Sequence, residues 1–250
     1  MALDLTKSAN ALKLSLEKSG VSADSLKGIE VGFAMDVSGS FMGEHAAGYT
    51  QLLLNRFMPW AMVLDANGKA DVLAFSSGVG AATYVGEITA KEGEGFIKRK
   101  IINKVPGYGL GTLYAPVIEM AFETFGYVVG AQNPPVEKDA RFDKRTIPTE
   151  FCIALRPKRA LFIVFTDGEN QDVGRTQQVL EEADKAGYPV FVLFVAIEDG
   201  SGFPFLKRLA KDIKNTGLLV IDKLQPFLKK TDDELNQMVL TEKVVTWLKK

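Results

Sequence analysis

The sequence predicts an α/β protein with a doubly wound, mostly parallel sheet, one antiparallel edge strand and helices on both faces. Short apolar blocks alternate along the chain with stretches of helical periodicity, which is the pattern of βα units in a parallel sheet. The block Phe191–Ile197 is wholly apolar but short, as expected of a strand buried on both faces. With 250 residues the chain is long enough for one large domain of this kind, or for two small ones.

Five or six strands are predicted from apolar runs that end at polar or turn residues. The runs are Val31–Met35, Asp71–Phe75, Thr83–Ile88, Arg159–Phe165, Val190–Ile197 and Leu218–Ile221. Because the turn signal Ser77-Gly78 separates the second run from the third, these two are expected to pair antiparallel. Thr83–Ile88 then forms the edge of the predicted sheet.

Helices are predicted between these strands from the spacing of apolar residues. They are expected at Tyr49–Leu64, Lys91–Ile102, Tyr114–Phe125, Arg175–Lys185, Pro204–Asp212 and Thr231–Lys250. The last one is expected to be a single amphipathic helix, because its apolar residues recur at helical spacing. Thr231 and Glu234 form the sequence pattern of a capping box at its start.

The chain is expected to hold one domain at residues 28–250, with residues 1–27 as an N-terminal segment packed on it. Residues 126–158 contain Pro134-Pro135 and the charged run Glu137–Arg145, and we interpret them as a surface insertion. No internal repeat or low-complexity tract is visible.

Composition excludes several classes of function. The net charge of −1 provides no large positive field, so nucleic acid is not an expected partner. No apolar run reaches the ~18 residues that span a bilayer. The single cysteine, Cys152, excludes an intrachain disulfide and, with no leader-like N-terminus, predicts a cytoplasmic protein.

Three polar features fall just after predicted strands or before a predicted helix. They are the loop that holds Asp36, Ser38 and Ser40, the residue Thr112 in a glycine-rich loop, and Asp167 after a later strand. Ligands of open α/β sheets lie beyond the carboxyl ends of the strands, where these features are expected to meet. Hydroxyl and carboxylate oxygens are the ligands that a hard cation such as Mg²⁺ requires. The sequence therefore predicts a divalent-cation site.

The pattern Asp36-x-Ser38-x-Ser40, followed by Thr112 and Asp167, resembles the metal-ion-dependent adhesion site of von Willebrand factor A domains. The resemblance implies that Ser38, Ser40 and Thr112 bind Mg²⁺, with Mn²⁺ or Ca²⁺ as alternatives. Asp36 and Asp167 would act mainly through bound waters. The remaining coordination position would be open to water or to an acidic side chain.

In architecture the resemblance extends from Gly28 to the C-terminus, and it implies a function in binding. The expected partner is a protein that presents an Asp or Glu side chain. The segments Leu3–Lys7 and Thr112–Pro116 look like those of intracellular bacterial or phage proteins of the tellurium-resistance, stress-response type.

A metal-dependent hydrolase or phosphatase is the alternative function. Phosphatases of the haloacid-dehalogenase type need a second carboxylate two residues after the nucleophilic Asp, where this chain has Ser38. A serine hydrolase needs a Gly-x-Ser-x-Gly elbow and a histidine base. Asp36 stands in place of the first glycine, and His45 is the only histidine. A third hypothesis is a scaffold with a vestigial site.

Other polar and aromatic residues have structural interpretations beside the functional ones. Thr112 also fits the N-cap of the next helix. His45 is expected to be solvated in the first turn of the helix after the metal loop. Phe41 is expected either to line the site or to pack in the core, and Cys152 is expected to be partly buried in the insertion. The glycines of the loop before Thr112 lack the Gly-Lys-Ser/Thr ending of a phosphate loop, so we interpret that loop as flexible.

Overall fold

The computed structural model describes residues 4–127, 158–198 and 200–250. Six strands form one sheet in the order β3-β2-β1-β4-β5-β6. In chain order they are β1 (Ile29–Asp36), β2 (Lys69–Phe75), β3 (Ala82–Thr89), β4 (Arg159–Thr166), β5 (Val190–Ile197) and β6 (Thr216–Ile221). All neighbours are parallel except β2 and β3, which pair antiparallel at the edge. The predicted fold class is confirmed.

Ten α-helices flank the sheet within the described residues. They are α1 (Leu5–Lys18), α2 (Met42–Ala46), α3 (Tyr49–Leu64), α4 (Phe96–Lys100), α5 (Ala115–Thr124), α6 (Val173–Lys185), α7 (Pro204–Asp212), α8 (Leu224–Leu228), α9 (Asp232–Val239) and α10 (Glu242–Leu248). None of the helices in the described part of the chain is long and apolar enough to cross a membrane.

Alternating side chains divide the core between the two faces of the sheet. On β1, Phe33 and Met35 point to the face covered by α1, α3 and α8 to α10, whereas Ala34 points to the face covered by α5 to α7. On β4, Phe165 and Phe162 face opposite sides in the same way. Each face therefore has its own apolar core, and the polar residues at the strand ends are left for the rim.

The helix α1 belongs to the first of these cores. Its residues Leu12 and Leu16 are fully buried, at 0% and 1% exposure. Asp4 caps its start by accepting a hydrogen bond from the backbone N–H of Lys7 at 3.0 Å. The division into a segment 1–27 and a domain 28–250 stays a prediction. Most of the expected insertion at residues 126–158, including Cys152, lies outside the described residues.

Two predicted helices were too long. Lys91–Ile102 is helical only at Phe96–Lys100, since the left-handed Gly95 (φ 64°) stands directly before the first helical residue. The predicted single helix Thr231–Lys250 is two helices, α9 and α10, separated at Leu240 and Thr241. Thr241 caps the second helix with its hydroxyl, so a new helix begins there.

The capping box at the start of α9 is present as predicted. The Thr231 hydroxyl accepts the Glu234 backbone N–H at 3.2 Å, and the Glu234 carboxylate accepts the Thr231 backbone N–H at 2.7 Å. This local pattern is short in sequence and needs no tertiary contact, which is why the sequence alone predicts it.

Candidate metal centre

Three loops meet at the carboxyl edge of the sheet, where β1 and β4 lie side by side. Two backbone hydrogen bonds join the loop after β1 to the glycine-rich loop: Gly39 N to Leu110 O and Gly109 N to Val37 O, both 2.7 Å. The loop after β4 joins them through Gln171 N, which donates to Thr112 O at 3.0 Å. The three predicted segments are therefore held together by main-chain contacts.

Side-chain oxygens of two loops converge at this edge. The Ser38 and Ser40 hydroxyl oxygens are 3.1 Å apart. The Ser40 hydroxyl donates to Asp167 Oδ1 at 2.8 Å. Ligand oxygens that bind Mg²⁺ octahedrally at about 2.0–2.1 Å are separated from their neighbours by about 3.0 Å. The spacing of the two serine oxygens fits neighbouring ligands of such an ion. Ser40 is exposed to solvent.

Asp36 is a fully buried carboxylate at the end of β1. Its Oδ1 accepts the Ser38 backbone N–H at 2.8 Å, and its Oδ2 accepts the Thr166 hydroxyl at 2.7 Å. Burial raises the pKa of Asp36 to about 6, and these hydrogen bonds only partly oppose the rise. No ion pair within the described residues neutralises it. A bound cation would supply the missing opposite charge.

Thr112 is buried at 6% exposure beside the same loops. Its expected role as N-cap of α5 is wrong, because Asp172 from the loop after β4 caps that helix instead. The two carboxylate oxygens of Asp172 accept the backbone N–H groups of Tyr114 at 3.0 Å and Ala115 at 2.8 Å. The Thr112 hydroxyl makes no hydrogen bond within the described part of the chain, so it is available to a ligand.

Two supporting residues were missed by the sequence analysis. Thr166 holds Asp36 from the neighbouring strand, as its hydroxyl donates to the carboxylate. The Tyr114 hydroxyl lies 3.1 Å from the Thr166 hydroxyl oxygen and donates to the carbonyl of Gly168. In the sequence, Thr166 directly precedes Asp167, and Tyr114 follows Thr112 by two residues. Their hydrogen bonds, however, depend on the order of the strands in the sheet.

His45 is buried at 2% exposure, which corrects the expectation that it is solvated. It lies in the last turn of the short helix α2, with Nε2 2.8 Å from the Asp36 carbonyl oxygen and Nδ1 2.9 Å from the Thr50 hydroxyl. Because a carbonyl only accepts, Nε2 donates and Nδ1 of the neutral ring accepts from Thr50. Burial lowers the pKa of His45, which favours this neutral form. Both nitrogens are engaged, so the ring is not placed as a base toward Ser38 or Ser40.

Phe41 packs in the core rather than lining the site, since it is 0% exposed. Its ring lies 5.3 Å from that of His45.

Two glycines, Gly39 and Gly107, allow the loops of the site to approach each other closely. A Cβ on Gly39 would lie 3.1 Å from the Gly109 carbonyl oxygen, and one on Gly107 only 2.2 Å from the Ser76 hydroxyl. The glycine-rich loop thus has a packing role in bringing Thr112 to the site.

Any metal at this edge depends on hydroxyl ligands. Among residues 4–127, 158–198 and 200–250, no group of three or more His, Cys, Asp or Glu side chains is arranged to hold a metal ion. The donor set of serine and threonine hydroxyls with two carboxylates fits a hard cation, which prefers oxygen ligands. A soft or nitrogen-seeking ion has no comparable set here.

No protein-family model matches the sequence. The uncharacterized protein YcbR of Bacillus subtilis (strain 168) is 26% identical over 251 residues, which cover 99% of this chain and 86% of that protein.

Among solved structures, the chain is similar to proximal thread matrix protein 1 (PTMP1) from the mussel byssus in crystal form 2, with 17% identity and a TM-score of 0.52. The PTMP1 structure described as having a zinc-occupied MIDAS motif, the metal-ion-dependent adhesion site, gives the same two values. Each match covers 88% of this chain and 48% of the PTMP1 chain. The chain thus spans about half the length of these neighbours. The described structure has the fold of a von Willebrand factor A domain.

Proposed function

We propose that this protein is a divalent-cation-dependent binding module in which Mg²⁺, held at an open site, captures an acidic side chain of a protein partner. The observation that carries the proposal is the spacing of the Ser38, Ser40 and Asp167 oxygens, which are 3.1 and 2.8 Å apart. The 3.1 Å between the two hydroxyl oxygens matches neighbouring ligands of an octahedral ion, at about 3.0 Å, and the Asp167 carboxylate lies beside them. Mn²⁺ and Ca²⁺ are alternative occupants.

The five candidate residues would have two different roles in binding the ion. Ser38, Ser40 and Thr112 would bind the ion directly, and Asp36 and Asp167 would hold its waters and balance its charge. The bound ion supplies an exchangeable coordination position, which a partner carboxylate would occupy. Because Ser40 is exposed, we expect that position to face solvent. A zinc-occupied MIDAS motif in PTMP1 supports the proposal, because it indicates that this fold accommodates a divalent cation.

The partner would be a protein that presents Asp or Glu, in the cytoplasm and in a bacterial or phage stress system of the tellurium-resistance type. The single cysteine supports the cytoplasmic location, and the resemblance of Leu3–Lys7 and Thr112–Pro116 supports the stress system.

Calorimetric titration of Mg²⁺ and Mn²⁺ into chelator-treated protein tests the metal site. We expect saturable binding by the wild type and its loss in Asp36→Asn and Ser40→Ala. Asp36→Asn keeps the size of a fully buried side chain, and Ser40→Ala changes an exposed one, so both variants should fold.

Asp71→Asn is the matched control for this titration. Asp71 is a half-buried carboxylate whose pKa burial also raises to about 6, but it lies on β2, away from the three loops. The Asp71→Asn protein should bind Mg²⁺ and Mn²⁺ as the wild type does. A folded wild type that binds neither ion, or equal binding by Asp36→Asn and the wild type, would contradict the proposal.

An activity assay distinguishes the binding module from the alternative, a metal-dependent hydrolase or phosphatase. The wild-type protein would be screened with aryl phosphates and aryl esters in the presence of Mg²⁺ or Mn²⁺. We expect no turnover above that of Asp36→Asn. Turnover that is lost in Asp36→Asn but kept in Asp71→Asn would favour the enzyme instead.

A further inference from the structure

Exposed apolar side chains gather around the candidate metal centre. Met42, Val79 and Leu110 are 41%, 61% and 49% exposed, and each belongs to a different segment beside the site. We call these three residues the apolar rim. The other large apolar side chains that are strongly exposed in the described residues are Leu14 on α1 and Leu52 on α3, both outside the three loops. Single exposed apolar residues are ordinary, but a group of them is not.

Contacts between the three segments make the rim one surface. Leu110 accepts the backbone N–H of Gly39 through its carbonyl, so it stands directly beside Ser40. Its Cδ1 lies 3.2 Å from where a Cβ on Gly78 would be, which brings it against the turn that carries Val79. The sulfur of Met42 is likewise 3.2 Å from the Cβ position of Gly109. The exposed residue Ser40 therefore lies beside a loop that carries exposed apolar side chains.

The rim lacks charge of its own. Residues 76–81 and 105–113 contain no Asp, Glu, Lys or Arg, in a chain of which 24% is charged. No cationic side chain of these two segments would attract a partner carboxylate, so that attraction has to come from the metal. The centre of a protein interface is typically depleted of charge and rich in apolar contacts, with the polar anchor enclosed by groups that exclude water.

We propose that the apolar rim binds apolar side chains that flank the metal-binding Asp or Glu in a loop of the partner protein. This inference rests on the proposed function and adds the chemistry of the partner's neighbouring residues. The metal would supply the attraction for the carboxylate, whereas Val79 and Leu110 would contact the apolar side chains next to it in the partner loop.

The test uses a phage library of random nine-residue loops closed by a disulfide. The loops are selected on the wild-type protein with Mg²⁺ and released with a chelator. Synthetic copies of the recovered loops are then measured by fluorescence polarisation against the wild type, Val79→Ser, Leu110→Ser and the control Leu52→Ser. Leu52 is exposed to a similar extent, at 50%, but lies on α3 outside the rim. Calorimetry then checks that all four proteins bind Mg²⁺ equally, as we expect.

We expect recovered loops to carry Asp or Glu next to Leu, Ile, Phe or Met. Their affinity should fall about ten-fold for Val79→Ser and for Leu110→Ser, as expected when one buried apolar side chain is lost, and should be unchanged for Leu52→Ser. Acidic loops without apolar flanks, rim variants that bind like the wild type, or no acidic loops on a protein that binds Mg²⁺ would overturn the inference. A wild type that binds no metal at all would instead refute the proposed function itself.

Discussion

At the scale of single residues, the candidate site depends on buried groups that position its ligands. His45 donates to the Asp36 carbonyl and accepts from Thr50, so one ring joins the end of β1 to the start of α3. Thr166 holds the Asp36 carboxylate from the adjacent strand. The sequence predicts the candidate ligands, because their types and order form a pattern. It does not predict these supporting contacts, since they join residues from different elements.

Removal of the His45 ring should destabilise the fold. His45→Ala leaves the Asp36 carbonyl and the Thr50 hydroxyl buried without partners and opens a cavity, which together should cost about 2–4 kcal/mol. His45→Gln can still donate to the Asp36 carbonyl and should recover part of this loss. Urea denaturation of the three proteins measures the effect. Equal midpoints for His45→Ala and the wild type would refute the assigned hydrogen bonds.

Asp71 gives a pH-dependent contribution to stability. Burial raises its pKa to about 6 from an ordinary 3.8, opposed by the hydrogen bond from the Tyr84 hydroxyl at 2.7 Å. The folded state therefore holds the proton more tightly than the unfolded chain. Stability falls as the pH rises from about 4 to about 6, and the penalty stays constant above that range.

Asp71→Asn should remove this penalty while keeping an acceptor for Tyr84. We expect it to raise the free energy of unfolding by about 1–2 kcal/mol at pH 7.5 and to have little effect at pH 4. Chemical denaturation at both pH values tests this, with Asp222→Asn, at an exposed position, as the control. A gain that is equal at both pH values would exclude titration of Asp71 as its cause.

At the scale of elements, loops cap helices that lie far from them in sequence. Asp172 precedes α6 but caps α5, and it also accepts hydrogen bonds from Asn170 at 2.6 Å and Thr176 at 3.1 Å. This contact fixes the glycine-rich loop against the loop after β4. The helix errors have local causes, since α4 begins after the left-handed Gly95 and α10 begins at the Thr241 cap. Apolar spacing continues across Leu240 and Thr241, so periodicity alone does not reveal the break that Thr241 creates by capping.

Loss of the Asp172 cap should weaken this junction. Asp172→Ala removes the acceptor for two backbone N–H groups of α5, and we expect a loss of about 2 kcal/mol in the free energy of unfolding. Asp172→Asn keeps one acceptor and should cost about half as much. Thermal unfolding measures both variants. If Asp172→Ala is as stable as the wild type, the cap contributes nothing to the fold.

At the scale of the whole molecule, strand order creates the site. β1 and β4 are distant in sequence but adjacent in the sheet, with Met35 opposite Phe165. Their next residues, Asp36 and Thr166, therefore meet, and Asp167 follows at the same edge. The sequence predicts a parallel sheet, and hence a shared carboxyl edge, from its alternating pattern. It does not give the spacing of the oxygens, which depends on how the three loops pack.

A crystal soaked in Mn²⁺ and measured for anomalous scattering tests the central claim most directly, because it locates the ion. We predict one strong peak per chain, about 2.1 Å from the Ser38 and Ser40 hydroxyl oxygens. Asp36→Asn crystals treated in the same way should lack the peak. A peak elsewhere in the chain, or none at saturating Mn²⁺ with the three loops in the arrangement described, would contradict a metal-dependent binding site.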